Sequence, residues 1–287
     1  MRPSIWSSYF IELSPEETVR TFSRCGWREL ELSDEHARAL LARGDPARAG
    51  REFAALAGGL GVSFPQGHLS LTCEIAPAGG GRLQDETIDD LRRWLDLFLA
   101  LGVRAAVIHP GGEELVRLGA ERARVHELRA RALRALTAHV RGSGLVLCLE
   151  NVSYAPSAAE LLATIEAAGS AGLGICLDTG HLNMAGGDQA GFVEEAGARL
   201  LATHLADNEG ASDQHLAPFG RGTVRWDDLM RALGRLRYQG LLNLEIPGEN
   251  RCPVEVRLAK LDYLGRVLSY LKAVAARERD GGAGHSK

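Results

Sequence analysis

Six apolar segments of the chain, each with the composition of a short β-strand, end on a side chain that can bind a metal ion. These side chains are His68, His109, Glu150, Asp178, His204 and Glu245. The end of a buried strand normally carries Val, Ile or Leu, because a charged or imidazole group is costly to bury unless it is paired or coordinated. Six such residues at equivalent positions therefore predict one shared polar site.

Further candidate ligands lie in the loops. His181 follows Asp178 by three residues, and Asp213 and His215 follow His204 by nine and eleven residues. A set of carboxylates and imidazoles without a thiolate suits Mn²⁺, Zn²⁺, Co²⁺ or Fe²⁺ better than Ca²⁺. We expect one Mn²⁺ or Zn²⁺ ion, and the surplus of ligands leaves up to three ions open.

The elements that would position these residues alternate along the chain as eight β-then-α units. The predicted strands are 4–7, 28–32, 62–66, 104–108, 145–149, 173–177, 200–203 and 241–244. Such alternation indicates a parallel sheet, and eight units predict closure into a (β/α)8 TIM barrel, an α/β fold whose active site lies at the C-terminal strand ends. We expect one domain over residues 1–279 and a flexible tail over 280–287.

Helices are predicted between the strands. The first begins at Ser14, where a Ser N-cap precedes Pro15 and two acidic residues. The others are expected at 35–42, 46–60, 85–101, 119–141, 157–168, 188–198, 226–236 and 254–277. An open doubly wound sheet would carry a Gly-rich phosphate loop after its first strand, and residues 7–10, Ser-Ser-Tyr-Phe, contain no glycine.

Charge and composition exclude few partners. The net charge of −4 provides no global electrostatic argument for nucleic acid. The five cysteines form no CxxC pair, which is typical of free thiols in a reducing compartment. No run of about 18 apolar residues occurs and the N-terminus has no apolar signal region, so we expect a cytoplasmic protein that does not enter a membrane.

From Trp6 to about Ala276, the order and spacing of several short motifs resemble the xylose-isomerase-like TIM barrel superfamily, which includes sugar epimerases, other isomerases and endonuclease IV. The matching stretches are Gly67-His68, Ile108-His109-Pro110-Gly111, Leu149-Glu150-Asn151, Leu177-Asp178-Thr179-Gly180-His181, Thr203-His204-Leu205-Ala206-Asp207, Asp213-Gln214-His215 and Leu244-Glu245.

The resemblance to the sugar epimerases implies one metal ion held by Glu150, Asp178, His204 and Glu245. It also implies that the two glutamates exchange a proton with the carbon beside a substrate carbonyl, through a metal-stabilised enediolate, and that His181 contacts a substrate oxygen. The epimerases usually have an Arg shortly after the histidine of the seventh strand. Residues 204–210 contain none, which argues against a typical free-ketose 3-epimerase.

The resemblance to endonuclease IV implies a different function, a multi-zinc phosphodiesterase acting on abasic DNA. Its nine zinc ligands have counterparts in the six strand-end residues and in His181, Asp213 and His215. Such a nuclease needs basic loops, whereas the residues that follow the second and third predicted strands are acidic or neutral. We therefore favour the isomerase and keep the nuclease as the alternative. A sugar-binding or metal-storage barrel without catalysis is a third possibility.

Several further residues are candidates for substrate contacts or support. Trp6 and Arg221 are predicted to bind substrate through ring stacking and a guanidinium group, and Asn151 either to bind substrate through its amide or to orient Glu150. Glu31, near the end of the second strand, is a further candidate for a substrate contact, and Asp207 is predicted to orient His204. Families of this kind often form dimers or tetramers, so a homo-oligomer is also expected.

Overall fold

Eight parallel strands alternate with helices through residues 1–281, the part of the chain that this computed structural model describes. The strands are β1 (Arg2–Trp6), β2 (Glu29–Leu32), β3 (Ser63–His68), β4 (Ala105–Ile108), β5 (Val146–Glu150), β6 (Leu173–Asp178), β7 (Leu200–His204) and β8 (Leu241–Leu244). Each strand pairs with the next one in the chain from β1 to β7, and β8 pairs with β1. Leu205 then joins β7 to β8, since its amide donates to the Asn243 carbonyl (2.7 Å) and its carbonyl accepts from the Glu245 amide (3.1 Å). The predicted barrel is confirmed.

Helices surround this barrel. They are α1 (Pro15–Arg24), α2 (Asp34–Leu41), α3 (Pro46–Gly59), α4 (Gly81–Leu101), α5 (Glu113–Arg117), α6 (Arg122–His139), α7 (Ala158–Ala168), α8 (Thr179–Met184), α9 (Gln189–Ala196), α10 (Trp226–Arg235) and α11 (Val254–Gly281). The predicted start of α1 is confirmed. The Ser14 hydroxyl accepts from the Glu17 amide (3.3 Å), and the Glu17 carboxylate accepts from the Ser14 amide (3.1 Å).

Two short helices at the C-terminal rim of the barrel were not predicted, and one loop was predicted wrongly. Helices α5 and α8 have five and six residues, too few to show a full period of apolar positions. Residues 81–84 precede the helix predicted at 85–101 and were therefore expected in a loop, but they form the first turn of α4. At the other end, α11 continues to Gly281, and positions 282–287 of the predicted tail lie outside the described residues.

The barrel interior is buried but not wholly apolar. Val107, Cys148, Cys176 and Ala202 form a small apolar cluster in it. A polar layer of side chains at most 1% exposed is also buried in the molecule: Ser4, Glu31, Gln66, Thr203 and Asn243. Each of these side chains bonds another buried side chain or a main-chain carbonyl, as buried polar groups usually do.

The structure bears on two further predictions, which concern the cysteine thiols and membrane-spanning helices. All five cysteines are free thiols, as expected, and two of them are buried. Within residues 1–281, no helix combines the length and the hydropathy needed to cross a bilayer. The homo-oligomer and the cytoplasmic location stay predictions.

Candidate metal centre

The C-terminal ends of strands β3 to β8 bring the six predicted ligands together. Four of these residues end their strands and two, His109 and Glu245, directly follow them. They form two groups whose ligand atoms lie within 4.8 Å of one another: His68, His109 and Glu150; and Glu150, Asp178, His204 and Glu245. Glu150 belongs to both groups, so its carboxylate lies at the centre of the site.

The four-residue group contains buried polar atoms that the protein leaves unpaired. Nδ1 of His204 lies 3.3 Å from Oε2 of Glu150 and 3.2 Å from Oε2 of Glu245. Within the described part of the chain, Nδ1 of His204, Oε2 of Glu245 and Oδ2 of Asp178 are buried without a hydrogen-bond partner. Such atoms are costly unless something satisfies them. One divalent cation would satisfy all three, and this donor set suits Mn²⁺ or Zn²⁺.

The three-residue group also contains a polar atom that the protein alone does not satisfy. Nδ1 of His68 lies 2.7 Å from the Leu69 carbonyl, which can only accept, so Nδ1 carries the ring proton. In the neutral ring, the bare Nε2 then faces Oε2 of Glu150 at 3.1 Å. Two acceptors at this distance need a proton or a metal ion between them. Nε2 of His109, at 3.6 Å from the same oxygen, completes the group.

The predicted loop ligands form a third group. Oδ2 of Asp213 lies 2.9 Å from Nε2 of His215 and 3.4 Å from Nε2 of His181. The other nitrogen of each ring faces a main-chain carbonyl. Nδ1 of His215 lies 2.7 Å from the Glu245 carbonyl, and Nδ1 of His181 lies 3.0 Å from the Asn151 carbonyl. The structure therefore brings all nine predicted ligands to one rim. In His68, His181 and His215 a main-chain carbonyl fixes one ring nitrogen and a carboxylate faces the other, and metal-binding histidines are usually fixed in this way.

Burial and neighbouring charges shift the pKa values of the groups in this cluster. Burial raises the pKa of Asp178 to about 7. Burial would also raise the pKa of Glu245, but the adjacent His204 outweighs it and lowers that pKa to about 2. Burial opposes protonation of His215, yet Asp213 and Glu245 raise its pKa to about 10. The carboxylates thus create a site that attracts positive charge.

A second layer of side chains holds the ligands, and one prediction about it was wrong. Asp207 does not orient His204, because its carboxylate accepts from the Trp226 indole (2.8 Å) and from the Val224 amide (3.0 Å). The carboxylate that contacts His204 is that of Glu31, at 3.0 Å from Nε2. Glu31 was a candidate only for a substrate contact, and the one available signal was a charge between two leucines of β2.

The three residues that are predicted to contact substrate lie in different surroundings. Both amide atoms of Asn151 bond the main chain of Asp178, at 2.7 and 2.9 Å, and so fix the end of β6. The Trp6 ring stacks on His215, with 5.9 Å between centroids and 7° between planes. The Arg221 side chain is 67% exposed and lies 3.5 Å from Glu209. The roles of these three residues in substrate binding stay predictions.

A cleft of about 380 Å³ opens beside the three groups of predicted ligands. Its described lining comprises Leu71, Thr72, Cys73, Glu74, His109, Glu113, Val152, Ser153, Tyr154, His181, Met184 and Asp213. One oxygen of Glu74 accepts from the amides of Ala76 and Gly112, both at 2.7 Å, which fixes this carboxylate in place. The lining thus includes three carboxylates, and among the described residues it includes no Lys or Arg.

This chain belongs to the xylose isomerase-like TIM barrel family, whose model matches residues 19–273. A stretch of 75 residues is 40% identical to protein y4fM of Sinorhizobium fredii, and a stretch of 88 residues is 34% identical to protein MJ1311 of Methanocaldococcus jannaschii. These stretches cover 26% and 30% of this chain, and only 24% and 29% of the two relatives.

Solved structures of sugar epimerases share the whole fold. A D-tagatose 3-epimerase-like protein is 18% identical with a TM-score of 0.78, over 97% of this chain and 99% of that one. D-psicose 3-epimerase from Clostridium cellulolyticum H10 is 16% identical with a TM-score of 0.79, over 95% and 99%. The 3-keto-D-glucoside 4-epimerase of E. coli is 17% identical with a TM-score of 0.74, over 93% and 99%. At these identities the likeness establishes the architecture.

Proposed function

We propose that this chain is a divalent-metal-dependent isomerase or epimerase acting on a sugar or a related carbonyl compound. One observation carries the proposal: carboxylate oxygens of Glu150 and Glu245 both lie within 3.3 Å of the unpaired Nδ1 of His204. These three residues and Asp178 would hold the ion. When bound, the ion would act as a Lewis acid on a substrate carbonyl and so acidify the adjacent C–H bond.

The two glutamates would then exchange the proton. Glu150 ends β5 and Glu245 directly follows β8, and these strands are not adjacent, so the two carboxylates reach the site from separate directions. One carboxylate would take the proton from the carbon beside the carbonyl, and the other would return a proton to the substrate. His181, which lines the cleft and is 17% exposed, would donate to a substrate oxygen.

The size and charge of the cleft favour a small, uncharged substrate. A volume of about 380 Å³ lies at the lower end of the range for ligand pockets. The carboxylates of Glu74, Glu113 and Asp213 can accept bonds from hydroxyl groups, but they repel phosphate and carboxylate groups. These features support an uncharged, polyol-like carbonyl compound over a sugar phosphate. A free ketose is the simplest example, although residues 204–210 lack the Arg that the 3-epimerases usually have.

The test is hydrogen exchange into the substrate. Protein loaded with Mn²⁺ or Zn²⁺ is incubated in D₂O with D-tagatose, D-psicose and D-fructose, and NMR follows the loss of the proton next to the carbonyl. We expect exchange in at least one ketose, and its loss in Glu150→Gln and Glu245→Gln. If the loaded protein exchanges none of them, the assignment to free ketoses is wrong. Exchange that persists in both variants would contradict the proton-transfer role.

A multi-zinc phosphodiesterase acting on abasic DNA is the second candidate function. The third ligand group, His181, Asp213 and His215, favours it, because a single ion does not use these residues. The acidic lining of the cleft opposes it, since a phosphodiester backbone would meet three carboxylates. Incubation of zinc-loaded protein with a duplex that contains one abasic site decides between the two. Incision would establish the nuclease, and an intact duplex at saturating Zn²⁺ would remove it.

A further inference from the structure

The carboxylate of Glu31 is buried among side chains from other strands of the barrel. It is 1% exposed. Oε1 lies 3.0 Å from Nε2 of His204, and Oε2 accepts from Nδ2 of Asn243. Oδ1 of Asn243 in turn accepts from the Ser4 hydroxyl at 2.8 Å. Residues of β1, β2, β7 and β8 therefore form one hydrogen-bonded chain.

A carboxylate buried in this way lowers the stability of the fold unless its partners compensate for the lost hydration. Burial of a charge costs free energy that is recovered only through pairing and hydrogen bonds, and barrel interiors are usually filled by Val, Ile and Leu. Neither partner of Glu31 is a Lys or an Arg. A leucine would fill this position with less cost, so the retained carboxylate points to a role in orienting His204.

The contact determines where the His204 ring carries its proton. An ionised carboxylate can only accept, so Nε2 carries a proton. When Nδ1 binds an ion, this proton is the only one on the ring. Nδ1 is the atom that faces Glu150 and Glu245. The rings of His68, His181 and His215 are fixed by main-chain carbonyls instead. Of these four imidazoles, that of His204 is the one without a main-chain acceptor, and a charged side chain orients it instead.

We infer that Glu31 is a positioning residue that keeps His204 in the Nε2–H tautomer and thereby strengthens its bond to the metal ion, while Asn243 and Ser4 fix the carboxylate. The inference rests on the metal-binding part of the proposed function. It does not depend on the reaction, because orientation of the ring affects ion affinity directly. Loss of such an orienting partner typically weakens metal binding 10- to 100-fold.

The first experiment measures Zn²⁺ affinity by competition with a fluorescent chelator, in the full chain. The variants are Glu31→Gln, which keeps an acceptor without charge, and Glu31→Leu, which removes the acceptor. We expect about 10-fold weaker binding for the first and about 100-fold for the second, at the ion that His204→Asn also loses. Gln66→Leu is the matched control, since Gln66 is equally buried but donates to the Thr203 carbonyl (3.4 Å). Its affinity should stay within about threefold of the wild type.

The second experiment observes the tautomer itself. Two-dimensional ¹H–¹⁵N NMR of chelator-treated protein reports the protonated ring nitrogen of His204, whose signal is identified by its loss in His204→Asn. We expect a proton on Nε2 in the wild type, where Glu31 accepts it, and loss of the Nε2–H signal in Glu31→Leu. Circular dichroism establishes that both variants are folded.

The outcomes separate the two proposals. Wild-type protein that binds no divalent ion would overturn the proposed function, and the NMR experiment would still decide the role of Glu31. Wild-type binding that both Glu31 variants retain within about threefold would overturn the inference alone. A wild-type His204 ring without a proton on Nε2 would also overturn it.

Discussion

Nε2 of His215 lies 2.9 Å from Oδ2 of Asp213, two residues earlier in the same loop. His215 has a positive φ of 45°, which is uncommon outside glycine and costs on the order of 1 kcal/mol. The donor bond from Nδ1 to the Glu245 carbonyl and the stacked Trp6 ring hold the imidazole in this position. A loop that is held in a costly conformation to face a carboxylate indicates a functional site.

The third ligand group leads to a prediction about metal content. The sequence predicts one ion and leaves up to three open. We expect zinc-loaded protein to contain more than one ion per chain, because the structure places Asp213 within 3.4 Å of nitrogens of two imidazoles that a single tetrahedral ion at the other groups does not use. Asp213→Ala should lower the content by about one ion, since it removes the carboxylate between His181 and His215. Elemental analysis after gel filtration measures this. A wild-type content of one ion that Asp213→Ala leaves unchanged would show that this group binds no metal.

The two glutamates of the proposed reaction should differ in their effect on the ion. Glu150 contacts His68, His181 and His204, whereas the side chain of Glu245 contacts only His204 among the imidazoles of residues 1–281. Glu150→Gln should therefore release most of the metal. Glu245→Gln should retain more of it and still lower kcat about 10²- to 10⁴-fold, the usual contribution of a general acid or base. Parallel measurement of metal content and kcat tests this. Equal metal loss in both variants would contradict it.

The barrel and its ligands could be predicted from sequence because both produce strong local signals. A carboxylate or imidazole at the end of an apolar strand is conspicuous, and eight repeats of one pattern leave few topologies. Each of the six predicted strand-end residues lies at the rim. Closure of the barrel then places these residues side by side without any further information from the sequence.

The support of the ligands could not be predicted in the same way. The contact between Glu31 and His204 joins residues 173 positions apart across the barrel, and no local pattern encodes that distance. Asp207 was preferred as a partner because it is near His204 in the chain, but its carboxylate bonds Trp226 at the start of α10. Spacing identifies ligands on strands, whereas hydrogen bonds between strands depend on barrel geometry.

A buried ion pair behind the His109 loop should contribute to stability. The Arg129 side chain is fully buried, and it donates to Glu160 (2.8 Å) and to the Gly111 carbonyl (3.0 Å). Glu160→Gln leaves the guanidinium without a counter-charge and should lower the free energy of unfolding by about 2–3 kcal/mol. The matched control is Glu86→Gln, in the exposed pair with Arg82, where the loss should stay below about 1 kcal/mol. Urea unfolding measures both, and equal losses would contradict the prediction.

His36 should make the fold sensitive to acid. Burial lowers the pKa of this imidazole below its usual 6.5, although nearby Glu35 and Glu12 oppose the shift. Its Nε2 donates to the Leu13 carbonyl (3.1 Å), and Nδ1 contacts the Ser7 hydroxyl (2.8 Å). As pH falls below about 6.5, the unfolded chain binds a proton that the folded chain does not, so His36 lowers the free energy of unfolding.

Replacement of this imidazole should remove that part of the pH dependence. We expect the difference in unfolding free energy between wild type and His36→Gln to be constant above about pH 7 and to shrink as pH falls towards 5, because only the wild type gains a destabilising proton. Urea unfolding at several pH values measures the difference. A chelator in every sample keeps metal binding out of the comparison. His139→Gln is the control, since His139 is a partly exposed imidazole paired with Asp96 on the outer surface. A difference for His36→Gln that does not vary with pH would show that burial does not shift the titration of His36.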